Sequence, residues 1–408
     1  MIEATALDQK ELFIGSLTDA EARPSLSALN ALKELPLPTT RQELWKYTRT
    51  ARLLSQPWQR ASGKTAPVFE VPCGAKEIIR ISNGKWESNE SLCENSSILV
   101  ERMDRVEGAD YLSLFEAVNE AFPTDIIRIT VKKGVCINDP IAIVYQQDEN
   151  LCGALPVVVV EAQESSITTI NEYHVSSLAT ATLQLRSLNV SVKEKANLTI
   201  NKIHLLGDET FALQTERVSV ASQSSFAINT ITISGRWLRN DLRIDLEGEH
   251  AYAQLNGLFM PREKQFCDHH TLVRHLAPNC DSSELYKAVL NDQGIGVFNG
   301  KVYVQQHAQK TNAYQNNANI LLSDDAQMNT KPELEIYADD VKCSHGTTTG
   351  QMDEAALFYL RSRGLSEDSA RRLLIGAFAG EVIQKISHEQ TRNHIVEELT
   401  KHGLLFHV

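Results

Sequence analysis

The sequence is short of the features that most quickly place a protein. Apolar runs such as Leu155-Pro156-Val157-Val158-Val159-Val160 are brief, and none approaches the roughly 20 residues that span a bilayer. The N-terminus, Met1-Ile2-Glu3-Ala4-Thr5-Ala6-Leu7-Asp8, has no basic n-region and no apolar h-region. No secretory signal is read there, and the expectation is a cytoplasmic chain with no membrane partner. Cysteine is sparse and unpatterned, with seven residues at 73, 93, 136, 152, 267, 280 and 343 and no Cys-x-x-Cys pair. That set suits neither a disulfide framework nor a zinc ribbon. A Walker motif, His-Glu-x-x-His and a Gly-x-Ser-x-Gly elbow are all missing, so nucleotide hydrolysis, zinc proteolysis and serine-hydrolase chemistry lack support. Basic blocks are missing too, and the net charge is −12. Phosphate neutralisation needs clustered Lys and Arg, which argues against a nucleic-acid partner.

What is present is a 408-residue chain with 42% hydrophobic and 23% charged residues, the balance of a soluble globular protein. This length exceeds one ordinary core, so two or three domains are expected unless the fold is elongated. Residues 1–125 read as a helical and mixed region. Ala, Leu, Glu and Lys dominate from Asp8 to Leu35, Pro36 and Pro38 stop the pattern, and a short helix is expected over Arg41–Tyr47.

From residue 126 to about 350 the pattern changes to period two. Ile127-Arg128-Ile129-Thr130-Val131, Thr182-Leu183-Gln184-Leu185-Arg186, Asn197-Leu198-Thr199-Ile200 and Leu242-Arg243-Ile244-Asp245-Leu246 all alternate. Short strands recur about every ten residues with almost no helix between them, which excludes a doubly wound α/β fold. A large β-sandwich and a β-solenoid both remain open, because no hexapeptide repeat is visible. Residues 351–408 return to helix. Asp353 is placed to cap a helix that ends near Gly364, and Ser366 to cap a second from Glu367 to about Ile386. In the second, Leu373, Leu374, Ala377, Phe378 and Val382 form an apolar stripe. Ser387-x-x-Gln390 reads as a capping box for a third helix.

Three segments carry candidate chemistry. Cys267, His269, His270, His275 and Cys280 are the densest set of soft ligands, but their spacing fits no zinc pattern. On a strand Cys267 and His269 would share one face and His270 the other, which also suits plain hydrogen-bonding histidines. Gly294-Ile295-Gly296-Val297-Phe298-Asn299-Gly300 is glycine-rich without a phosphate-loop ending, and tight turns between strands are expected there. Lys342-Cys343-Ser344-His345-Gly346 sets a thiol and an imidazole two residues apart at the end of the β region. On a strand they face one side, both are suitable iron ligands, and a nearby imidazolium would lower the thiol pKa. The competing reading is an ordinary strand terminus with a buried Cys and a structural His.

These residues stand inside a longer pattern. It runs through Leu255-Asn256-Gly257, Asp268–His275, Ser283-Glu284-Leu285-Tyr286-Lys287, Gly296–Val302, Ala308–Gln315, Lys331–Ile336, Cys343-Ser344-His345-Gly346 and Leu357–Gly364. In that order and density the pattern resembles the SufB/SufD family of the SUF iron–sulfur cluster assembly system, and Glu43-Leu44-Trp45-Lys46-Tyr47-Thr48 resembles the family's N-terminal helical segment. Two features favour the SufD branch. The chain is short for a SufB, and Cys343–Gly346 replaces a Glu-His-Glu-Ala type segment. Asp324–Asn329, including Ala326, holds no thiol where SufB carries its assembly cysteine.

The resemblance implies a mainly β chain with a right-handed parallel β-helix core flanked by helical domains. It implies a non-catalytic subunit that pairs with a SufB-like subunit. ATP hydrolysis belongs to SufC, an ABC-type ATPase that docks on the C-terminal helices, for which Phe358, Tyr359, Arg363 and Phe378 are candidate contacts. Sulfur comes indirectly from a desulfurase system. His345, with Cys343 as the weaker candidate, is implied as a ligand to iron or to a transient cluster shared with SufB. No nucleotide is expected on this chain, and the sequence does not decide whether it binds a flavin. The alternative function is a purely structural scaffold that stabilises SufB and recruits SufC.

Overall fold

The structure, a computed structural model, describes residues 6–19, 24–72, 74–88, 97–106, 110–177 and 180–404. Cys73 and Cys93 lie outside the described residues. The chain is mainly β, with a β-solenoid core of about 8 turns.

Successive strands alternate between two sheets. Each long strand hydrogen-bonds in parallel with the strand two places later in the chain, so one turn holds two strands. This settles the choice between sandwich and solenoid. Among the described residues antiparallel pairing occurs only near the start, where Ile78–Ser82 meets Lys85–Glu87 and Ile98–Arg102 meets Asp125–Val131. Strands therefore begin well before residue 126, inside the region read as helical and mixed. The expected helix over Arg41–Tyr47 is one 3₁₀ turn, Glu43–Trp45.

Parallel in-register pairing stacks residues in columns. In one sheet Ile129, Val160, Val190, Val218, Ile244, Val273 and Val302 lie one above another. In the facing sheet Ile141, Ile170, Ile200, Ile228 and Leu255 do the same. Apart from Val302, which packs in a small cluster at the open end, the two aliphatic columns meet in the bore as one buried core. β-Branched side chains suit this pleated, doubly buried setting.

The same bore holds charge at mid-length. Arg186 bridges Glu172 and Glu216, Lys202 bonds Glu216 at 2.6 Å and Asn240 at 2.5 Å, and the Tyr145 hydroxyl donates to Glu172 at 3.1 Å. All four charged side chains are buried. Burial pushes the Glu172 carboxyl up, but Arg186 and His174 outweigh it and hold the group at about 2.

Helices cover the outer faces. On one sheet Phe13, Leu17, Trp45, Trp58 and Phe115 pack over Leu183, Leu185, Phe211 and Trp237. A buried clasp fixes the Glu43–Trp45 turn there. The Arg239 guanidinium lies 3.8 Å from the Trp45 ring centroid, donates to the Leu44 carbonyl at 2.9 Å and pairs with Asp268 at 2.8 Å, while Thr48 donates to Asp268. Burial alone would raise the Asp268 pKa, but the His270 and Arg239 charges hold it at about 2.

On the other sheet the C-terminal helices Glu354–Ser362, Glu367–Ile383 and Glu389–Lys401 pack over Tyr173, Ile203, Ile231 and Leu258. An asparagine ladder marks this face. Asn256, Asn229 and Asn201 each donate at 2.8 Å to the asparagine one turn below, and Asn171 donates to Thr391 of the last helix at 2.8 Å. Asp353 and Ser366 cap their helices as expected. Ser387 does not cap the third. His388 takes that place, its Nδ1 accepting from the Thr391 amide. The buried face of the middle helix is Ala370, Ile375, Ala379, Val382 and Ile383, and Leu373 is exposed. Of the expected stripe, Leu374, Phe378 and Val382 pack on this core, while Leu373 and Ala377 are exposed. Among the described residues no helix is long and apolar enough to cross a membrane.

Two outcomes follow from these buried charges. Glu216→Ala leaves Arg186 and Lys202 short of a counter-ion in the bore and should lower unfolding stability by ~3–5 kcal/mol in denaturant melts; a loss below ~1 kcal/mol would show that the network carries little. Asp268 is ionised above about 4 in the unfolded chain but above about 2 in the fold, so its stabilisation is complete above pH ~4 and is lost as pH falls toward 2. Asp268→Asn should remove that acid-sensitive part of the stability and expose the segment around Trp45 to protease at neutral pH.

Candidate functional site at the open end of the solenoid

The last strand of each sheet, Gln327–Ile336 and Lys342–Gln351, pairs on one side only. Strands in the middle of the solenoid are buried along most of their length, whereas these two are exposed or half-buried throughout. Among the described residues no further strand pairs with the outer edge of this rung.

Cys343 and His345 stand on this rung, on the same face of Lys342–Gln351. Register decides what lies beneath each. Cys343 pairs with Ala313, which pairs with Ser282. Its half-buried thiol packs with Val302, Val304, Ala308, Ala313 and Ala338. Burial pushes this thiol up, against the lowering that a neighbouring imidazolium would produce. His345 is exposed and pairs with Gln315, which pairs with Glu284.

Below the rung the bore is polar. Gln315 Nε2 donates to Glu284 Oε2 at 2.6 Å. Burial pushes the Glu284 carboxyl up to about 7, against the lowering by bonds from Thr271 and Gln315. Asn317 accepts from Thr347 at 3.3 Å, Asn319 donates to Thr349 at 3.2 Å, and Thr330 meets Thr347 across the bore at 3.2 Å. Tyr314, Ile336 and Tyr337 are exposed near the rim.

The glycine-rich segment serves this packing rather than turns alone. Gly294 does lie in a turn, but Gly296 and Gly300 are inside the strand Ile295–Val304. A Cβ on Gly300 would sit 2.1 Å from Gln315 Nε2, and one on Gly296 2.8 Å from the Met328 sulfur. At both positions a side-chain end fills the space a Cβ would take, so a larger residue would displace Gln315 or Met328.

The Cys267–Cys280 set is divided by the strand. Cys267 and His269 face the bore, 3.3 Å apart, while Asp268 and His270 face outward to Arg239. His275 bonds Ser282, and Cys280 donates to the Gly248 carbonyl. Among the described residues no three His, Cys, Asp or Glu side chains are arranged to hold a metal.

The C-terminal helices present a separate surface. Phe358 is 73% and Tyr359 57% exposed, with the Arg363 guanidinium 5.3 Å from the Tyr359 ring. Phe378 does not join them. It is half-buried against the core, with Lys287 Nζ 4.3 Å from its ring and Lys287 paired to Glu381.

Sequence reasoning found Cys343 and His345 but not the roles of Glu284, Gln315 and Gly300. The usable signal was a separation near thirty residues, 31 between Glu284 and Gln315, which is one turn of the solenoid.

Among proteins of known family, residues 144–378 match the SufBD core domain of the SUF system for Fe–S cluster assembly. The chain is 28% identical to the iron–sulfur cluster assembly protein SufD of Escherichia coli, over 91% of this chain and 90% of that one. It is also 28% identical to a SufBD family protein of Synechocystis, covering 94% and 91% of the two chains. A chloroplastic protein of Arabidopsis thaliana, ABCI7, is 29% identical over 69% of this chain and 62% of its own. With more than half of its length matched by the core domain and its β-solenoid ending in the Cys343–His345 rung, the chain belongs to the SufBD family of iron–sulfur cluster assembly proteins and is SufD-like.

Proposed function

We propose that this chain is the SufD-type scaffold subunit of a cytoplasmic SufB–SufC–SufD complex, and that its open rung is half of a site where iron or a nascent cluster is held. The observation that carries the reading is the placement of His345 and Cys343 on the exposed last rung, whose outer edge pairs with no strand among the described residues. Unpaired strand edges are templates for another strand. A SufB-like subunit laid against this end would cover the rung and bring its own thiol to the imidazole.

The chemistry favours His345 over Cys343. An exposed imidazole offers a nitrogen lone pair to iron without rearrangement. The Cys343 thiol must first lose a proton that its apolar surroundings favour keeping. Iron and cluster are cargo here, shared with the partner. The sulfur arrives through the partner from a desulfurase, and ATP turnover belongs to SufC.

The exposed Phe358, Tyr359 and Arg363 form the SufC-docking face, an apolar patch with one charge of the kind that marks interfaces. Phe378 instead links the helices to the strand Asp281–Leu290 through Lys287 and Glu381. A SufC motion would therefore reach the strand that carries Glu284.

Two experiments test this reading. His345→Ala in the purified three-subunit complex should abolish cluster assembly while the complex stays intact, and Cys343→Ala should weaken it less. Full assembly in an intact His345→Ala complex would leave the purely structural scaffold as the function. Phe358→Asp should release SufC from the complex without loosening the SufB partner; unchanged SufC retention would move the docking face elsewhere.

A further inference from the structure

We propose that Glu284, acting through Gln315, is a positioning residue that fixes which ring nitrogen His345 presents at the open rung. The inference rests on reading His345 as the working ligand of that rung.

The column beneath His345 is aliphatic for five turns, Ile141, Ile170, Ile200, Ile228 and Leu255. It then turns polar at Glu284 and Gln315, one turn each, and ends at His345. Glu284 is 4% and Gln315 3% exposed. A buried carboxyl is unfavourable in a solenoid whose other turns fill the same place with Ile or Leu, so packing does not explain it.

The amide of Gln315 is held one way round. Its Nε2 donates to Glu284 Oε2 at 2.6 Å, in the space left by the missing Cβ of Gly300. In its ionised form Glu284 only accepts, which selects the NH₂ edge of Gln315 and turns the carbonyl away. Gln315 Oε1 is buried and has no protein partner. Buried acceptors rarely stay unpaired, and this one belongs to the residue paired directly beneath His345. Adjacent strands lie about 4.8 Å apart, within reach of a side-chain bond. When the rung is covered, one ring N–H of His345 donates to Gln315 Oε1, which leaves the lone pair of the other nitrogen facing the incoming metal. Histidine ligands are commonly oriented by a carbonyl or carboxylate on the far nitrogen. Here the carboxylate acts one residue removed, by setting the amide.

The test uses the full chain in its complex, labelled with ¹⁵N-histidine, with His345 assigned by the signal lost in His345→Gln. Wild type should show one imidazole tautomer. Glu284→Leu frees the amide to flip and should give mixed tautomers, with cluster assembly slowed about fivefold, the value of one net hydrogen bond. Glu284→Gln still offers an acceptor to Gln315 and should keep the wild-type tautomer and assembly within about twofold. Should Glu284→Leu fail to fold, Gln315→Leu, one turn nearer the open end, carries the same expectation. An unchanged His345 tautomer in the folded Leu variants overturns the proposal. A tautomer that shifts while His345→Ala still assembles clusters would uphold the positioning and place the fault in the ligand reading.

Discussion

Parallel, in-register pairing of each strand with the strand one turn away is the constraint on which the rest of this structure depends. It places side chains in columns, so the residue type at one position must suit its neighbours above and below. Ile and Val columns satisfy this by close packing, the outward asparagines by amide-to-amide bonds along Asn171, Asn201, Asn229 and Asn256. Glu172 and Lys202 satisfy it by opposite charge in one column, with Arg186 and Glu216 completing the ion-pair cluster from the facing sheet. Each column has an end, and what stands there is left without a neighbour. His345 and Cys343 occupy two of those ends.

That geometry separates three tasks along one chain. The N-terminal helices and the Arg239–Asp268 clasp cover one sheet, and the C-terminal helices cover the other through Thr391, Tyr173 and Lys287. The last rung, Gln327–Ile336 and Lys342–Gln351, stays exposed or half-buried. Strand Asp281–Leu290 links two of the tasks, because Lys287 points out to the helix that carries Phe378 while Glu284 points into the bore beneath His345. A movement of the helices and a change at the rung therefore act on the same strand from its two faces.

Strands were legible in the sequence because one face of each is buried and alternation follows directly, as in Thr182–Arg186. The solenoid was not, because its repeat is a column rather than a motif. Ile170, Ile200 and Ile228 match, but Glu172, Lys202 and Thr230 share a column with no likeness between them. Caps at Asp353 and Ser366 were readable from local chemistry, whereas His388 displaced Ser387 as the third cap, a competition that sequence spacing does not rank. At the site, Cys343 and His345 were visible as neighbours in the chain. Glu284 and Gln315 were not, since only register, a full turn apart, brings them into line. Gly300 was read as a turn residue because its reason for being glycine, the Gln315 amide, also lies in another strand.

The central claim is that the open rung is completed by a second chain. Hydrogen exchange along Lys342–Gln351 tests it most directly, with this chain alone and with a SufB-like subunit added. The account predicts fast exchange at the outward-facing amides of that strand in the isolated chain and strong protection in the complex. Equal exchange in both states, with the partner shown to be bound, would contradict it.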